Sequence, residues 1–282
     1  SGARARESSL PSNPAAPGKK SAPLPGERPS WIVLIPAIWL TVFFLVPLVV
    51  ILGAGFCQDN IYGSVELHFT LKQYQQAFER IYLEVLVRSL IYTFLATLLS
   101  LLIAFPMSYY IALSSEKKQL WLAFLVIIPF WTNLLIRLYS FIALLSDEGV
   151  INSLLLATQL FSEPLPLLHN AGSVIVGLMY LNLPFMILPL YAVLSKLDLA
   201  QVEAAMDLGA SRSRAFWTVV VPHAMPGISA ALVFSFIPTL GNFIVADLLG
   251  GSNNLMIGNL ITSQFIHARN WPMGSALSGL VL

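Results

Sequence analysis

Four histidines, one cysteine and fourteen carboxylates are the residues of this sequence best able to hold a metal or move a proton. Their spacing supports neither. His68, His169, His223 and His267 are far apart, and none stands in an H-E-x-x-H or similar ligand pattern. Cys57 is alone, so there is no internal disulfide and no CxxC zinc site. No G-x-x-x-x-G-K-[ST] run occurs, so the chain cannot cradle nucleotide phosphates in a P-loop, and any ATP must be handled by another chain. A hydrolase would want a serine or paired acids facing a base, and no such set can be assembled here. The sequence therefore predicts no catalytic residue, no metal and no cofactor on this polypeptide.

What remains is a small set of polar and aromatic residues inside apolar stretches. Arg137 is the most conspicuous, because an arginine in the middle of a bilayer costs roughly 2.5–3.5 kcal/mol on insertion scales. Two readings are open: it snorkels to the outer interface, or it forms an intramembrane ion pair with Asp247. Asn133, Asn182 and Asn242 either line a polar pathway or hold helices together by hydrogen bonds. Trp131, Tyr139 and Tyr180 offer faces to a cationic substrate, though each could equally anchor at an interface or pack between helices.

The elements that must position these residues follow from composition. Of 282 residues, 57% are hydrophobic and 10% charged, whereas soluble domains carry about 25% charged residues. A net charge of +1, from 15 Lys and Arg against 14 Asp and Glu, excludes the basic excess of a nucleic-acid binder. The class is all-α and the chain a polytopic membrane protein. A hydrocarbon core about 30 Å thick needs roughly 20 apolar residues per helix. Five such runs are present, at 31–54, 89–113, 120–145 (interrupted by Arg137), 171–194 and 224–246. A sixth, 272–282, has 11 residues and reads as an incomplete helix, giving six spans in all. Prolines 36, 47, 106, 129, 184, 189 and 238 fall inside them and read as kinks or flexing points.

Basic residues set the orientation. With the N-terminus in the cytoplasm, the inner segments hold Arg4, Arg6, Lys19, Lys20, Arg28, Lys117, Lys118, Lys196, Arg212 and Arg214, and the outer ones only Lys72, Arg80 and Arg269. Residues 1–30, rich in Pro, Ser, Ala and Gly, read as a disordered cytosolic tail. The apolar run that follows is too long for a signal-peptide core and is closed by no A-x-A-like site, so it reads as an uncleaved first helix.

One loop is organised. Between the fourth and fifth spans, segment 195–223 lies on the cytoplasmic side. Asp198 is placed to cap a short helix, with Gln201 in the partner position of a capping box. Leu199, Val202, Ala205 and Met206 recur at helical spacing, and Gly209 suits the C′ position that ends a helix. Ser211 can cap a second helix carrying Arg212, Arg214, Phe216 and Trp217, expected to stop by Pro222. The small residues Ala204, Ala205 and Gly209 permit close approach of another surface. An interfacial helix on lipid would carry aromatics and many cations; the first short helix has neither, which favours protein docking.

The string E203-AAMDLGASRSRAFWTVVVPHAMPGI-S229 resembles the E-A-A signature of binding-protein-dependent ABC importer permeases of type I. Strings I127-IPFWTNLLIRLYSF-I142 and A246-DLLGGSNNLMIGNLITSQFIHARNWPMGSA-L277 are similar to the first permease subunit of spermidine/putrescine importers. The resemblance covers 31–282. The longer front tail and the short last helix depart from the pattern without touching these motifs. It implies that Glu203, Ala204, Ala205 and Gly209 belong to a coupling helix that enters a cleft on an ATPase subunit. It further implies a second homologous permease, two ATPase subunits that hold ATP and Mg, an external polyamine-binding protein and a bacterial plasma membrane location. For a polyamine cargo, Trp131, Asn133, Tyr139, Asn242 and Asp247 become the candidate path. The competing readings are an importer of the same architecture for an iron chelate or organic acid, and a secondary carrier. The latter should show inverted repeats and several intramembrane carboxylates, and neither is detectable.

Overall fold

The computed structural model describes residues 31–59, 65–66, 68–159 and 161–282. The expected disordered tail, 1–30, lies outside the described residues. The first helical stretch comprises α1 (Trp31–Leu40), a π-helical turn (Thr41–Leu45) and α2 (Val46–Ala54). Its side chains from Leu34 to Val50 are almost all exposed, as those of a helix apolar on every side facing lipid should be.

Residues 50–282 form a second compact unit. After α2, Gln58–Asp59 (β1) and Val65–Glu66 (β2) pair antiparallel in a two-residue ladder. Then come α3 (Lys72–Ala77) and the 33-residue α4 (Arg80–Ala112). The sequence reading starts this span at Ser89, because Glu84 and Arg88 are charged. The helix begins nine residues earlier because those charges are accommodated on it: Arg80 Nε donates to Glu84 one turn on (2.7 Å), and Arg88 Nη1 donates to the Asn253 carbonyl (2.6 Å).

The segment expected as one span over 120–145 is instead a bent pair. Helix α5 (Glu116–Ile127) runs into a 3-10 turn (Ile128–Trp131), and α6 (Leu134–Leu145) leaves at 91°, followed by α7 (Val150–Ala157). The cause is local chemistry. Pro129 lacks an N–H and tightens the turn, Thr132 is extended, and the Asn133 side chain accepts from Leu135 N (2.8 Å) to start a new helix.

Helix α8 (Ala171–Leu194) opens on an Asn170–Ser173 capping box and coincides with the apolar run 171–194. The loop helices α9 (Leu199–Asp207) and α10 (Arg212–Ala215) follow. A π-turn (Phe216–Val220) then leads into α11 (Val221–Leu240), so 212–240 is one helix of 29 residues. Pro222 therefore does not stop the helix, contrary to expectation. It falls just after the π-turn, within the first two positions of α11, and the wider π hydrogen bonding absorbs the missing N–H. The apolar run to Ala246 is likewise divided at Gly241, where α12 (Ile244–Gly250) separates. Finally come α13 (Ile257–Ile266) and α14 (Trp271–Val281). Among the described residues, four helices are long and apolar enough to cross a membrane, and the bent pair makes a fifth passage if it counts as one.

The core shows how such helices associate. Apolar side chains gain little by leaving lipid, so close backbone approach and interhelical hydrogen bonds must hold the bundle. Helix α4 carries a buried row of small residues at helical spacing, Ser89, Thr93, Ala96, Ser100, Ala104 and Ser108. From this row Ser100 Oγ donates to the Met179 carbonyl (3.1 Å) and Ser108 Oγ to the Ile187 carbonyl (3.0 Å), both on α8. On the other side of α8, Gly177 lets Leu249 approach so closely that a Cβ there would lie 2.5 Å from Leu249 Cδ1.

Candidate functional site

The 195–223 loop is built as a small rigid projection. Asp198 caps α9 by accepting from Ala200 N (3.0 Å), and the Gln201 backbone N–H reaches the Asp198 carbonyl (3.1 Å). The reciprocal side-chain bond of a capping box is not formed. At the far end, Gly209 N–H donates to the Met206 carbonyl (2.9 Å) and Ala210 N–H to the Ala205 carbonyl (3.0 Å). That pair is a Schellman closure with Gly209 at C′, where its φ of +90° suits glycine. Ser211 Oγ accepts from Arg214 N (3.3 Å) and starts the next helix.

This projection has an inner and an outer face. Val202 packs with Leu197 and Phe216 against the buried cluster that includes Leu190, Leu194 and Val220. Phe216 in turn meets Phe105 (5.7 Å) and Tyr109 (5.9 Å) of α4 edge to face. The outer face carries Glu203, Ala204 and Gly209, all exposed, with Leu199, Met206 and a 90% exposed Leu208. Nothing lies within 4 Å of a Cβ built on Gly209. Of the four apolar residues expected on one face, the structure turns Val202 and Ala205 inward and leaves Leu199 and Met206 out.

The second group of expected residues is dispersed. Trp131 is 76% exposed at the bend, Asn133 is committed to its cap, and Tyr139 is 59% exposed on α6. Asp247 is exposed on α12. The expected Arg137–Asp247 ion pair is not formed, whereas Arg80 and Glu84 do pair. Arg137 is half-buried, and its Nε is enclosed and has no hydrogen-bond partner. The 91° bend accounts for this, because it carries α6 so that Arg137 lies between two cavities. The larger, about 330 Å³, is almost wholly apolar and bounded by α4, α5 and α8. The smaller, about 220 Å³, brings Arg137 together with Asn242, as well as Asn182 and Thr239, beside the edge-to-face pair Phe130 and Phe185.

Thr239 escaped sequence reasoning, and Asn182 was left without a definite use. The Thr239 hydroxyl donates to Asn182 Oδ1 (2.8 Å), and Asn182 is 6% exposed. The available signal was an asparagine inside an otherwise apolar span. A lone threonine near the end of a span carries none.

The comparisons with known proteins agree on one family. Residues 31–282 match the family described as binding-protein-dependent transport system inner membrane component. The chain is 40% identical over 240 residues to the spermidine/putrescine transport system permease protein PotB of Escherichia coli K12, covering 85% of this chain and 87% of that one. It is 41% identical over 240 residues to the PotB protein of Haemophilus influenzae, covering 85% and 84%. Among solved structures, a bacterial alginate ABC transporter in complex with an alginate pentasaccharide-bound periplasmic protein superimposes with a TM-score of 0.69 at 17% identity, covering 89% of this chain and 88% of the other. At that identity the likeness concerns the fold.

Proposed function

This chain belongs to the binding-protein-dependent transport system inner membrane component family, and from that premise we propose that it is a permease subunit of an ATP-driven importer of spermidine and putrescine. It forms half of a translocation path with a second homologous permease. Two ATPase subunits bind on the cytoplasmic side, where the N-terminus also lies, and an external binding protein delivers the polyamine. The names of relatives at 40% identity across most of the chain support the cargo.

The observation that carries the mechanism is the projection at α9. A helix of nine residues, capped at both ends and followed by the exposed Leu208, packs beside the π-turn near the start of the long helix 212–240. Closure of an ATPase dimer around such a tip would move the base of that helix as a lever. Coupling of this kind requires different contacts in two states of the ATPase. Glu203, Ala204, Ala205 and Gly209 are the residues we assign to the docking surface and its closure.

The test is reconstitution of the complete complex in proteoliposomes. Radiolabelled spermidine should accumulate with ATP and the loaded binding protein, with putrescine competing and ferric chelates not. Accumulation by the permease alone, with no ATPase copurifying, would remove the reading in favour of a secondary carrier.

A further inference from the structure

The 330 Å³ cavity between α4, α5 and α8 is not sealed. Its lining includes the exposed Met107, Tyr110 and Leu125 beside the more buried Leu122, Leu183 and Ile187, so it opens at the surface of the bundle as an almost wholly apolar groove. It meets a second cavity of different chemistry, about 250 Å³, lined by Lys117, Lys118 and Trp121 together with the shared Tyr110 and Leu122. Neither lysine has an ion-pair partner among the described residues. The neighbouring Glu116 lines neither cavity. This mouth is held in place. Gln119 Nε2 donates to the carbonyls of Ala112 (2.9 Å) and Ser114 (2.8 Å), and the Tyr191 hydroxyl donates to Gln119 Oε1 (3.3 Å), which ties the turn between α4 and α5 to α8. Tyr191 stands in the last turn of α8, so the lysines lie at the end of the bundle that carries the α9 projection.

An apolar groove that ends in two amines and two exposed aromatics fits an anionic amphiphile. Its depth fits as well. From Lys118 to Pro129 the chain advances about 16 Å at 1.5 Å per residue, and one leaflet's share of a hydrocarbon core is about 15 Å. We propose that this groove holds an acyl chain of an anionic glycerophospholipid, with Lys117 and Lys118 at its phosphate and Tyr110 and Trp121 at headgroup level. A polyamine is the wrong occupant, because Lys117, Lys118 and Arg137 border the two cavities and no carboxylate does. The site stands on these residues alone; that its leaflet is the cytoplasmic one rests on the orientation proposed above.

The experiment uses the assembled transporter in phosphatidylcholine nanodiscs. Phosphatidylglycerol or phosphatidylcholine carrying a diazirine in one acyl chain is added at trace level, and crosslinks are mapped by peptide mass spectrometry after photolysis. A lysine at an anionic headgroup is worth about fivefold, so the phosphatidylglycerol probe should label peptides 122–129 and 183–187 about 30-fold more than the phosphatidylcholine probe does. On the exposed first helical stretch, 42–50, the two probes should label alike. Lys117→Gln or Lys118→Gln alone should lower the groove preference to about fivefold, the double Gln variant should abolish it, and the double Arg variant should keep it. Both lysines are exposed, so these variants should fold as wild type does. Equal labelling by the two probes in wild type, or a preference that survives in the double Gln variant, overturns the proposal. Labelling of the same peptides by a diazirine-bearing spermidine analogue also overturns it, and makes the groove a cargo site. Groove peptides that neither lipid probe reaches, with Lys117 or Lys118 crosslinking to the second permease, overturn it in favour of a subunit interface.

Discussion

Replacing Gly209 tests the coupling projection most directly, because the structure separates two causes that a glycine usually confounds. A Cβ at this position meets nothing within 4 Å, so the chain itself has no steric objection to a side chain. What remains is φ of +90°, a backbone state that costs an L-residue roughly 1–2 kcal/mol. If the substituted residue escapes to negative φ, the Gly209 to Met206 and Ala210 to Ala205 hydrogen bonds open and Leu208 leaves its place at the tip. An energy of that size corresponds to about a 5- to 30-fold change in an equilibrium. The assay is titration of ATPase subunit onto the permease complex in nanodiscs, with ATPase stimulation by loaded binding protein as the second readout. Gly209→Ala should weaken ATPase binding by about 5- to 30-fold. Gly209→Asn should be milder, because asparagine tolerates positive φ, and Gly209→Val should be worse than either. The thermal midpoint of the transmembrane part should stay near wild type in all three. Equal losses for Asn, Ala and Val would refute the conformational reasoning and point to bulk at the ATPase surface, and wild-type binding by Val would refute the docking role itself.

Leu208→Ser should leave the permease midpoint unchanged, since the side chain is 90% exposed, while lowering the amount of ATPase retained on purification. Asp198→Ala removes the acceptor for Ala200 N and should cost α9 about 1 kcal/mol, seen as a several-fold loss of ATPase binding that Asp198→Asn largely restores. Ser100→Ala and Ser108→Ala each remove one α4 to α8 hydrogen bond and should each destabilise by about 0.6 kcal/mol, with near-additive midpoint shifts because the bonds lie eight residues apart on α4. Gly177→Val should destabilise by at least about 1–3 kcal/mol through overpacking against Leu249, read as an unfolding midpoint well below that of Gly177→Ser.

The sequence pattern disclosed those parts of the fold that depend on one stretch of chain. The apolar run 171–194 coincides with α8, and Asp198, Gly209 and Ser211 each occupy the cap their residue type suggested. Hydropathy could not disclose the 91° bend, since Ile128, Pro129, Phe130 and Trp131 are as apolar as a continuous helix would require. The information was present in another form, a proline followed four residues later by a capping asparagine. Charge misplaced the start of α4 because a charged residue was taken as a membrane boundary, when Arg80 and Arg88 both find partners on or beside the helix. The small cavity lay beyond any local signal. It is assembled from residues 137, 182, 239 and 242, and depends on the bend for its geometry.

The two sites are joined by one element, and that constrains how transport can work. The helix that begins at Arg212, beside the α9 projection, ends at Leu240, and Thr239 near its far end is the hydrogen-bond donor to Asn182 in the Arg137 cavity. At 1.5 Å per residue, the two ends are about 40 Å apart. Near the base, Phe216 bears on Phe105 and Tyr109 of α4, and His223 Nε2 lies 3.3 Å from the Val193 carbonyl on α8. Gly227 brings the same helix against Val193 and the Pro189 carbonyl. These contacts hold the helix near the end that carries the α9 projection. Further along, Ala231 is buried in one cluster with Met186 and Leu190 of α8, and the Thr239 to Asn182 bond (2.8 Å) is the polar contact near the far end. A movement at α9 that opened this bond would free the Asn182 oxygen and the Thr239 hydroxyl beside the cavity. On this geometry, a disulfide or crosslink that fixes Thr239 to Asn182 should leave ATPase docking intact and stop cargo movement. Transport that persisted in the crosslinked complex would separate the cavity from the coupling lever.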